Sequence, residues 1–141
     1  MGKKRIIKKS GGEGGAAAAG VRSSKRKLSE GILFVEATYN NTKVSVADMS
    51  GNVVAWSSAG SLGFSGAKKG TPFAAAKVGE TLGERAQGMG LKEVAVIIKG
   101  VGAGRESSVR GFASKGIELR SIKDVTPVPH GGVRPRKARR I

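Results

Sequence analysis

The sequence predicts an α/β fold, a mixed five-stranded sheet with flanking helices in the order βββαβαβ, and basic N- and C-terminal arms. Three observations support this prediction. Three β-rich segments follow one another with short turns between them, a helical apolar pattern comes next, and an apolar strand and a further helix–strand pair complete the order. Short turns favour antiparallel neighbours, whereas helical crossovers favour parallel ones, so the sheet should be mixed.

The first three strands are predicted at residues 32–38, 43–49 and 53–57, which are rich in β-branched and aromatic residues. Asn40-Asn41 separates the first pair, and Ser50-Gly51-Asn52 separates the second. These residues favour tight turns, so we expect an antiparallel meander.

The first helix should begin with Thr71 as N-cap and Pro72 at its first position, and it should end at Gly88 or Gly90. Gly79 and Gly83 inside it each cost about 1 kcal/mol relative to alanine. We therefore expect a smooth helix face against which another backbone packs closely. Apolar residues recur at spacings of four and three, at Ala74, Val78, Leu82, Ala86 and Met89.

Residues 94–98 are apolar on both alternating faces, as in a central parallel strand. A glycine-rich loop at 100–104 leads to a second helix, which should place Val109, Phe112 and Ala113 inward. A last strand is expected at 117–125. Prolines at 127, 129 and 135 should end regular structure.

Charge is concentrated at the two ends of the 141-residue chain, which carries 26 Lys and Arg against 10 Asp and Glu, a net charge of +16. Residues 1–27 hold nine bases and one acid, and we expect them to form a flexible arm with a Gly/Ala linker at 11–20. Residues 28–126 form the predicted α/β domain, and residues 127–141, with five bases and no acid, form a second arm. Such charge favours a polyanionic partner, first of all nucleic acid.

Other classes of protein receive little support. The N-terminal basic run has too few apolar residues for a membrane-surface helix, and the chain has no cysteine for a disulfide or thiolate metal site. We expect no membrane binding, no cofactor and a cytoplasmic location. The one histidine, His130, lies between Pro129 and Gly131, and the carboxylates show no metal-ligand spacing, so no enzyme activity is expected. A fold that gathers distant acids into a nuclease site stays open.

Two near-motifs are incomplete. The glycines at 100–104 resemble a dinucleotide fingerprint, but Ser107 stands where Gly or Ala is needed, and no P-loop is present. The loop could still admit an RNA phosphate beside Arg105, although a tight turn that needs glycine for a positive φ is the alternative. The sequence from Arg110 to Ala113 begins like an RNA-recognition motif, yet we expect Phe112 in the core. Six aromatic residues are too few for a stacking platform, so recognition should depend on phosphates and shape.

Four stretches together closely resemble the universal small-subunit ribosomal protein of family eleven, in its bacterial form. They are ATYNNT at 37–42, a block from SSAG at 57–60 to KKGTPFAA at 68–75, KGVGAGRE at 99–106, and DVTPVPH at 124–130 followed by Arg134-Pro135. The resemblance extends from about Lys25 to Ile141. It implies a ribonuclease-H-like sheet without catalytic acids. It also implies a place on the small-subunit platform, where the protein bridges 16S ribosomal RNA helices near the messenger RNA exit path, beside ribosomal proteins seven, eighteen and twenty-one.

The resemblance and the charge pattern together suggest ribosomal RNA contacts in three loops, on the second helix and in both arms. The expected residues are Lys25, Arg26, Lys27, Asn40, Asn41, Thr42, Lys68, Lys69, Thr71, Gly102, Gly104, Arg105, Arg110, His130, Arg134, Arg136, Lys137, Arg139 and Arg140. For the lysines and arginines, a solvated charged surface is the alternative.

Three features depart from the family pattern. Val101 and Ala103 replace prolines, Gly131 replaces a frequent asparagine, and Gly70 replaces a common serine. The function expected is a structural, RNA-binding constituent of the small ribosomal subunit. A nucleoid-type DNA-binding protein is the alternative.

Overall fold

The structure, a computed structural model, describes residues 27–141. The Gly/Ala segment predicted as a linker, and the basic residues Lys25 and Arg26, lie outside the described residues.

Within that part the order of elements agrees with the sequence prediction, and the predicted bounds are within two residues of the observed ones. The elements are β1 (Glu30–Ala37), β2 (Thr42–Ala47), β3 (Val53–Ser58), a 3-10 helix (Gly66–Gly70), α1 (Pro72–Gly88), β4 (Glu93–Lys99), α2 (Gly104–Ala113) and β5 (Glu118–Asp124). The 3-10 helix was not predicted. It buries none of its own residues, so its sequence carries no apolar period.

The five strands form one mixed sheet in the order β3-β2-β1-β4-β5. β2 pairs antiparallel with β1 and β3, whereas β4 pairs parallel with β1 and β5. In the centre, Leu33 of β1 lies opposite Val46 of β2 and Val96 of β4. The predicted meander and the central parallel strand are both confirmed.

One face of the sheet carries the hydrophobic core. Alternate strand residues, among them Leu33, Val44 and Val96, pack with the inward residues of both helices in a single cluster. Phe112 belongs to this cluster and is fully buried, as expected from the sequence. On the opposite face Ile32, Phe34, Ala95 and Ile97 are only half-buried, so β4 is covered on one side rather than on both.

The two helices approach each other closely through glycine. A Cβ atom added at Gly79 would lie 2.1 Å from the Ser108 carbonyl oxygen, and one at Gly83 would lie 3.0 Å from that of Phe112. Gly111 of α2 packs in the same way on Ala76 of α1. The predicted smooth face on α1 is confirmed, and α2 is the element that packs on it.

After Asp124 the chain forms no helix or strand, and every residue from 127 to 141 is exposed. None of the helices found in residues 27–141 has the length and apolar character needed to span a membrane.

Candidate nucleic-acid interface

The turn between β1 and β2 is closed by its own residues. The Thr38 backbone N–H and hydroxyl both donate to the Asn41 carbonyl oxygen, at 2.9 Å and 3.1 Å, and the Asn41 N–H donates back to the Thr38 hydroxyl oxygen. Asn40 at the tip is exposed. Thr42, by contrast, is fully buried, so its side chain lies inside the fold and not on the surface where an RNA contact was expected.

The segment before α1 presents two lysines. Lys68 is exposed and Lys69 half-buried, and no carboxylate in residues 27–141 forms an ion pair with either. Thr71 caps α1 as predicted, because its hydroxyl oxygen accepts from the Ala74 N–H at 3.3 Å. The same hydroxyl donates to the Lys68 carbonyl oxygen at 2.7 Å, so it is already used within the protein.

The glycine loop between β4 and α2 packs on the β1–β2 turn. A Cβ atom added at Gly102 would lie 2.2 Å from the Thr38 carbonyl oxygen, and one at Gly104 would lie 2.2 Å from the Thr42 hydroxyl oxygen. Both glycines are buried. Neither glycine is therefore an open surface for a phosphate. The alternative prediction was a tight turn that needs glycine for a positive φ. Within this loop it holds at Gly100 (φ +104°) and not at Gly102 or Gly104.

Three loops therefore meet at one end of the sheet. The third contact is at Gly70, where an added Cβ atom would lie 2.2 Å from the Tyr39 carbonyl oxygen. We call residues 38–42, 66–71 and 100–105 the loop cluster. The chain brings together these three predicted regions because β1 and β4 run parallel and end at the same edge.

Arg105, which was predicted to contact a phosphate, has partners within the protein. Its guanidinium donates to the Gly100 carbonyl oxygen, to the Thr126 hydroxyl oxygen at 3.2 Å and to the Asp124 carboxylate at 2.5 Å. The side chain keeps 31% exposure. Arg105 thus ties the glycine loop to the residues that begin the C-terminal tail, and its charge is already paired.

Asp124 is held in its ionised form by this arrangement. The Thr126 hydroxyl, the Arg105 guanidinium and the Thr126 backbone N–H all donate to its carboxylate, and they lower the pKa of Asp124 well below its ordinary value. The Thr126 hydroxyl oxygen also accepts from the Gly100 N–H at 3.1 Å. We call Gly100, Arg105, Asp124 and Thr126 the tail latch.

The remaining predicted residues lie away from the loop cluster or extend from it. Arg110 is exposed on α2 and pairs with Glu106 one turn earlier. Lys27 is exposed next to Leu28, whose N–H donates to the Met89 carbonyl oxygen just beyond the end of α1. A helix of 17 residues is about 25 Å long, so Lys27 lies at the opposite end of the domain from the loop cluster. The exposed basic residues of the tail, which follow the tail latch, are His130, Arg134, Arg136, Lys137, Arg139 and Arg140.

The sequence prediction missed two aromatic residues beside the loop cluster. Tyr39 is 78% exposed and Phe73 is 65% exposed. The signal was present for Phe73, because the period that places Ala74 and Val78 inward turns Phe73 outward. No such period exists in the turn that contains Tyr39. Within residues 27–141 no cluster of three metal-ligating side chains occurs.

The family described as Ribosomal protein S11 matches residues 31–140, which include all eight elements apart from the first residue of β1 and every residue of the loop cluster. The chain belongs to the ribosomal protein S11 family.

Its relatives in this family match over most of their length. It is similar to the small ribosomal subunit protein uS11 of Treponema pallidum (strain Nichols), with 52% identity over 120 residues that cover 85% of this chain and 95% of the relative. It is also similar to the protein of that name from Solibacter usitatus (strain Ellin6076), with 51% identity over 85% of this chain and 89% of the relative. The resemblance found in the four sequence stretches is confirmed.

Membership in the S11 family makes the chain a structural ribosomal protein and not an enzyme, as predicted. The nuclease interpretation is therefore wrong. Five of the nine acids in residues 28–126 form ion pairs within residues 27–141. One of these, Glu84 with Lys115 at 2.9 Å, joins α1 to the residues just after α2.

Proposed function

We propose that this small-subunit ribosomal protein binds 16S ribosomal RNA on the platform and bridges RNA helices near the messenger RNA exit path. Ribosomal proteins seven, eighteen and twenty-one would be its neighbours there. Two of its relatives are named small ribosomal subunit proteins, which supports ribosomal RNA and other ribosomal proteins as partners and the cytoplasmic ribosome as location.

The observation that carries the proposal is the loop cluster. It gathers Lys68 and Lys69, both without an acidic partner in the described part of the chain, next to the exposed Asn40. Unpaired lysines bind phosphates as point charges, and an exposed amide can donate to a phosphate or a base edge. In this proposal, Thr42, which is fully buried, and Arg105, which is paired, support the shape of this surface from within the protein.

The position of the arms supports a bridging role. Lys27 leads into residues 1–26 at one end of the domain, and the tail leaves the tail latch at the other end, about 25 Å away along α1. In the proposed organisation, residues 28–126 are the globular domain, and residues 1–27 and 127–141 are two arms that neutralise phosphates on separate RNA segments.

Binding of the full chain to labelled 16S RNA tests the proposal. If about six phosphates are neutralised, raising salt from about 50 to about 200 mM should weaken binding roughly 10³-fold. Duplex DNA in the same buffer with Mg²⁺ is the comparison, because a nucleoid protein would bind it equally well. A nearly flat salt response, or equal binding to DNA, would contradict the proposal.

A double substitution assigns part of this effect to the loop cluster. Lys68→Gln with Lys69→Gln should weaken RNA binding and reduce the salt slope by about 0.7–0.9 for each phosphate that is no longer neutralised. Lys92→Gln is the matched control, since Lys92 is also exposed but lies at the opposite end of the sheet, before β4. An unchanged slope in the double variant would remove these lysines from the interface.

A further inference from the structure

Two of the six aromatic side chains of the protein are exposed at the loop cluster, Tyr39 within it and Phe73 just after it. Tyr39 exposes 78% of its surface and Phe73 exposes 65%, whereas Phe34 and Phe64 are half-buried and Phe112 is fully buried. Single exposed apolar residues are common on protein surfaces. Here, however, the two rings belong to segments that pack directly on each other, because the Gly70 backbone lies against the Tyr39 carbonyl group.

The backbone of Tyr39 and the ring of Phe73 are held in place by their surroundings. Tyr39 lies inside the turn that Thr38 and Asn41 close with three hydrogen bonds. Phe73 follows the Thr71 cap by two residues and meets the Phe64 ring edge-on, with ring centroids 6.2 Å apart and an interplanar angle of 83°. A ring that is already positioned loses little conformational freedom when a ligand stacks on it.

The charge around the rings is positive. Lys68 and Lys69, which have no acidic partner within residues 27–141, precede the helix that carries Phe73. The Lys77 ammonium lies 5.7 Å from the Phe73 ring centroid and also pairs with Glu80 at 3.1 Å. Exposed aromatic faces next to lysines suit unpaired nucleotides, whose bases stack while their phosphates meet the cations. A protein partner would instead favour a contiguous apolar patch, whereas here the polar Asn40 and the charged Lys68 are exposed in the same loop cluster.

We propose that Tyr39 and Phe73 each stack an unpaired base of the bound RNA, while Lys68 and Lys69 hold the neighbouring phosphates. The inference rests on the proposed RNA-binding function and adds the class of ligand, namely single-stranded loop nucleotides. It departs from the sequence expectation that recognition depends on phosphates and shape, because that expectation counted aromatic residues without knowing which ones face solvent.

Affinity of the full chain for 16S RNA, measured as a function of salt, tests the inference. Tyr39→Ala and Phe73→Ala should each weaken binding about fivefold to a hundredfold, with the salt slope unchanged, because stacking releases no counterions. The conservative variants Tyr39→Phe and Phe73→Tyr should keep wild-type affinity. Trp56→Ala is the control, since Trp56 is 47% exposed on β3, outside the loop cluster.

Each contrary result has a separate meaning. Wild-type affinity in both alanine variants would overturn the stacking inference while leaving RNA binding intact, whereas no RNA binding by the wild type would defeat the proposed function itself. If the alanine variants bind RNA normally but enter reconstituted small subunits poorly, the rings contact protein and the inference is wrong. Thermal melting checks that each variant folds. Phe73→Ala removes the ring that packs on Phe64, and if this lowers its melting temperature, the RNA affinity of Tyr39→Ala tests the stacking inference instead.

Discussion

At the scale of single residues, Arg105 shows that a basic side chain expected to face RNA can be paired within the protein. Its place after a glycine loop suggested a phosphate contact, but Asp124 is within 2.5 Å and Thr126 within 3.2 Å. Asp124 lies nineteen positions further along the chain, and no local pattern links it to Arg105. Only the parallel pairing of β4 with β5 brings the two together.

The glycines of the same loop show a second limit of sequence reasoning. Gly102 and Gly104 were expected to let an RNA phosphate approach the loop. Instead both face the β1–β2 turn at distances that leave no room for a Cβ atom. Larger side chains there would act first on folding, so such variants cannot isolate a phosphate contact.

The tail latch gives a pH-dependent prediction. The native pKa of Asp124 is lowered, so its ionised form stabilises the fold above the ordinary aspartate pKa of about 3.9, and this stabilisation decreases as the pH falls below that value. Asp124→Asn should therefore lower the melting temperature at pH 7, and the difference from wild type should shrink below about pH 4. Thermal unfolding from about pH 3 to about pH 7 measures both.

The matched control for this experiment is Glu118→Gln on the same strand. Glu118 is exposed and forms no ion pair within residues 27–141, so its replacement should change little at any pH. A melting difference for Asp124→Asn that persists undiminished at about pH 3 would show that the carboxylate charge is not the cause.

At the scale of elements, the sequence was sufficient to predict a helix or strand wherever the local signals agreed. Thr71-Pro72 and the spacing from Ala74 to Ala86 defined α1, and the apolar run 94–98 defined β4, because caps, turns and periods are local properties. The 3-10 helix and the half-covered face of the sheet were not predictable. Both depend on which surfaces meet, and an apolar run such as residues 94–98 does not say whether both faces of the strand are covered.

The helix pair gives a prediction at this scale. Gly79→Ala should lower the free energy of unfolding by about 1–3 kcal/mol, because the new Cβ atom would lie 2.1 Å from the Ser108 carbonyl oxygen and 2.9 Å from the Phe112 nitrogen. The better helix propensity of alanine, about 1 kcal/mol, opposes this loss. Urea denaturation of the full chain measures the net effect.

Gly88→Ala, in the last turn of the same helix, separates propensity from packing. A Cβ atom at Gly88 would find no other atom within 4 Å, so this variant should be as stable as wild type or slightly more stable. If Gly79→Ala and Gly88→Ala prove equally stable, α1 and α2 do not require the close backbone approach.

At the scale of the whole molecule, most of the net positive charge of the chain lies outside residues 28–126. Twelve of the 26 basic residues lie in residues 28–126 with nine of the ten acids, so the folded domain is almost balanced. Part of this balance consists of ion pairs between different elements, for example Lys115–Glu84 and Arg105–Asp124. The five Lys and Arg residues of the C-terminal tail are exposed outside the folded core, where they cost little self-repulsion and stay available for a polyanion.

The C-terminal tail tests this separation directly. Deleting residues 134–141 removes only exposed residues that follow the tail latch, so the melting temperature of the chain should change little. The deletion also removes all five Lys and Arg residues of the tail, so incorporation into reconstituted small subunits should fall and RNA binding should become less dependent on salt. Both properties are to be measured on one truncated protein, with Asp124, Thr126 and the latch intact. Full incorporation would exclude the tail from the RNA interface, and a large loss of melting temperature would show that residues 134–141 pack against the domain.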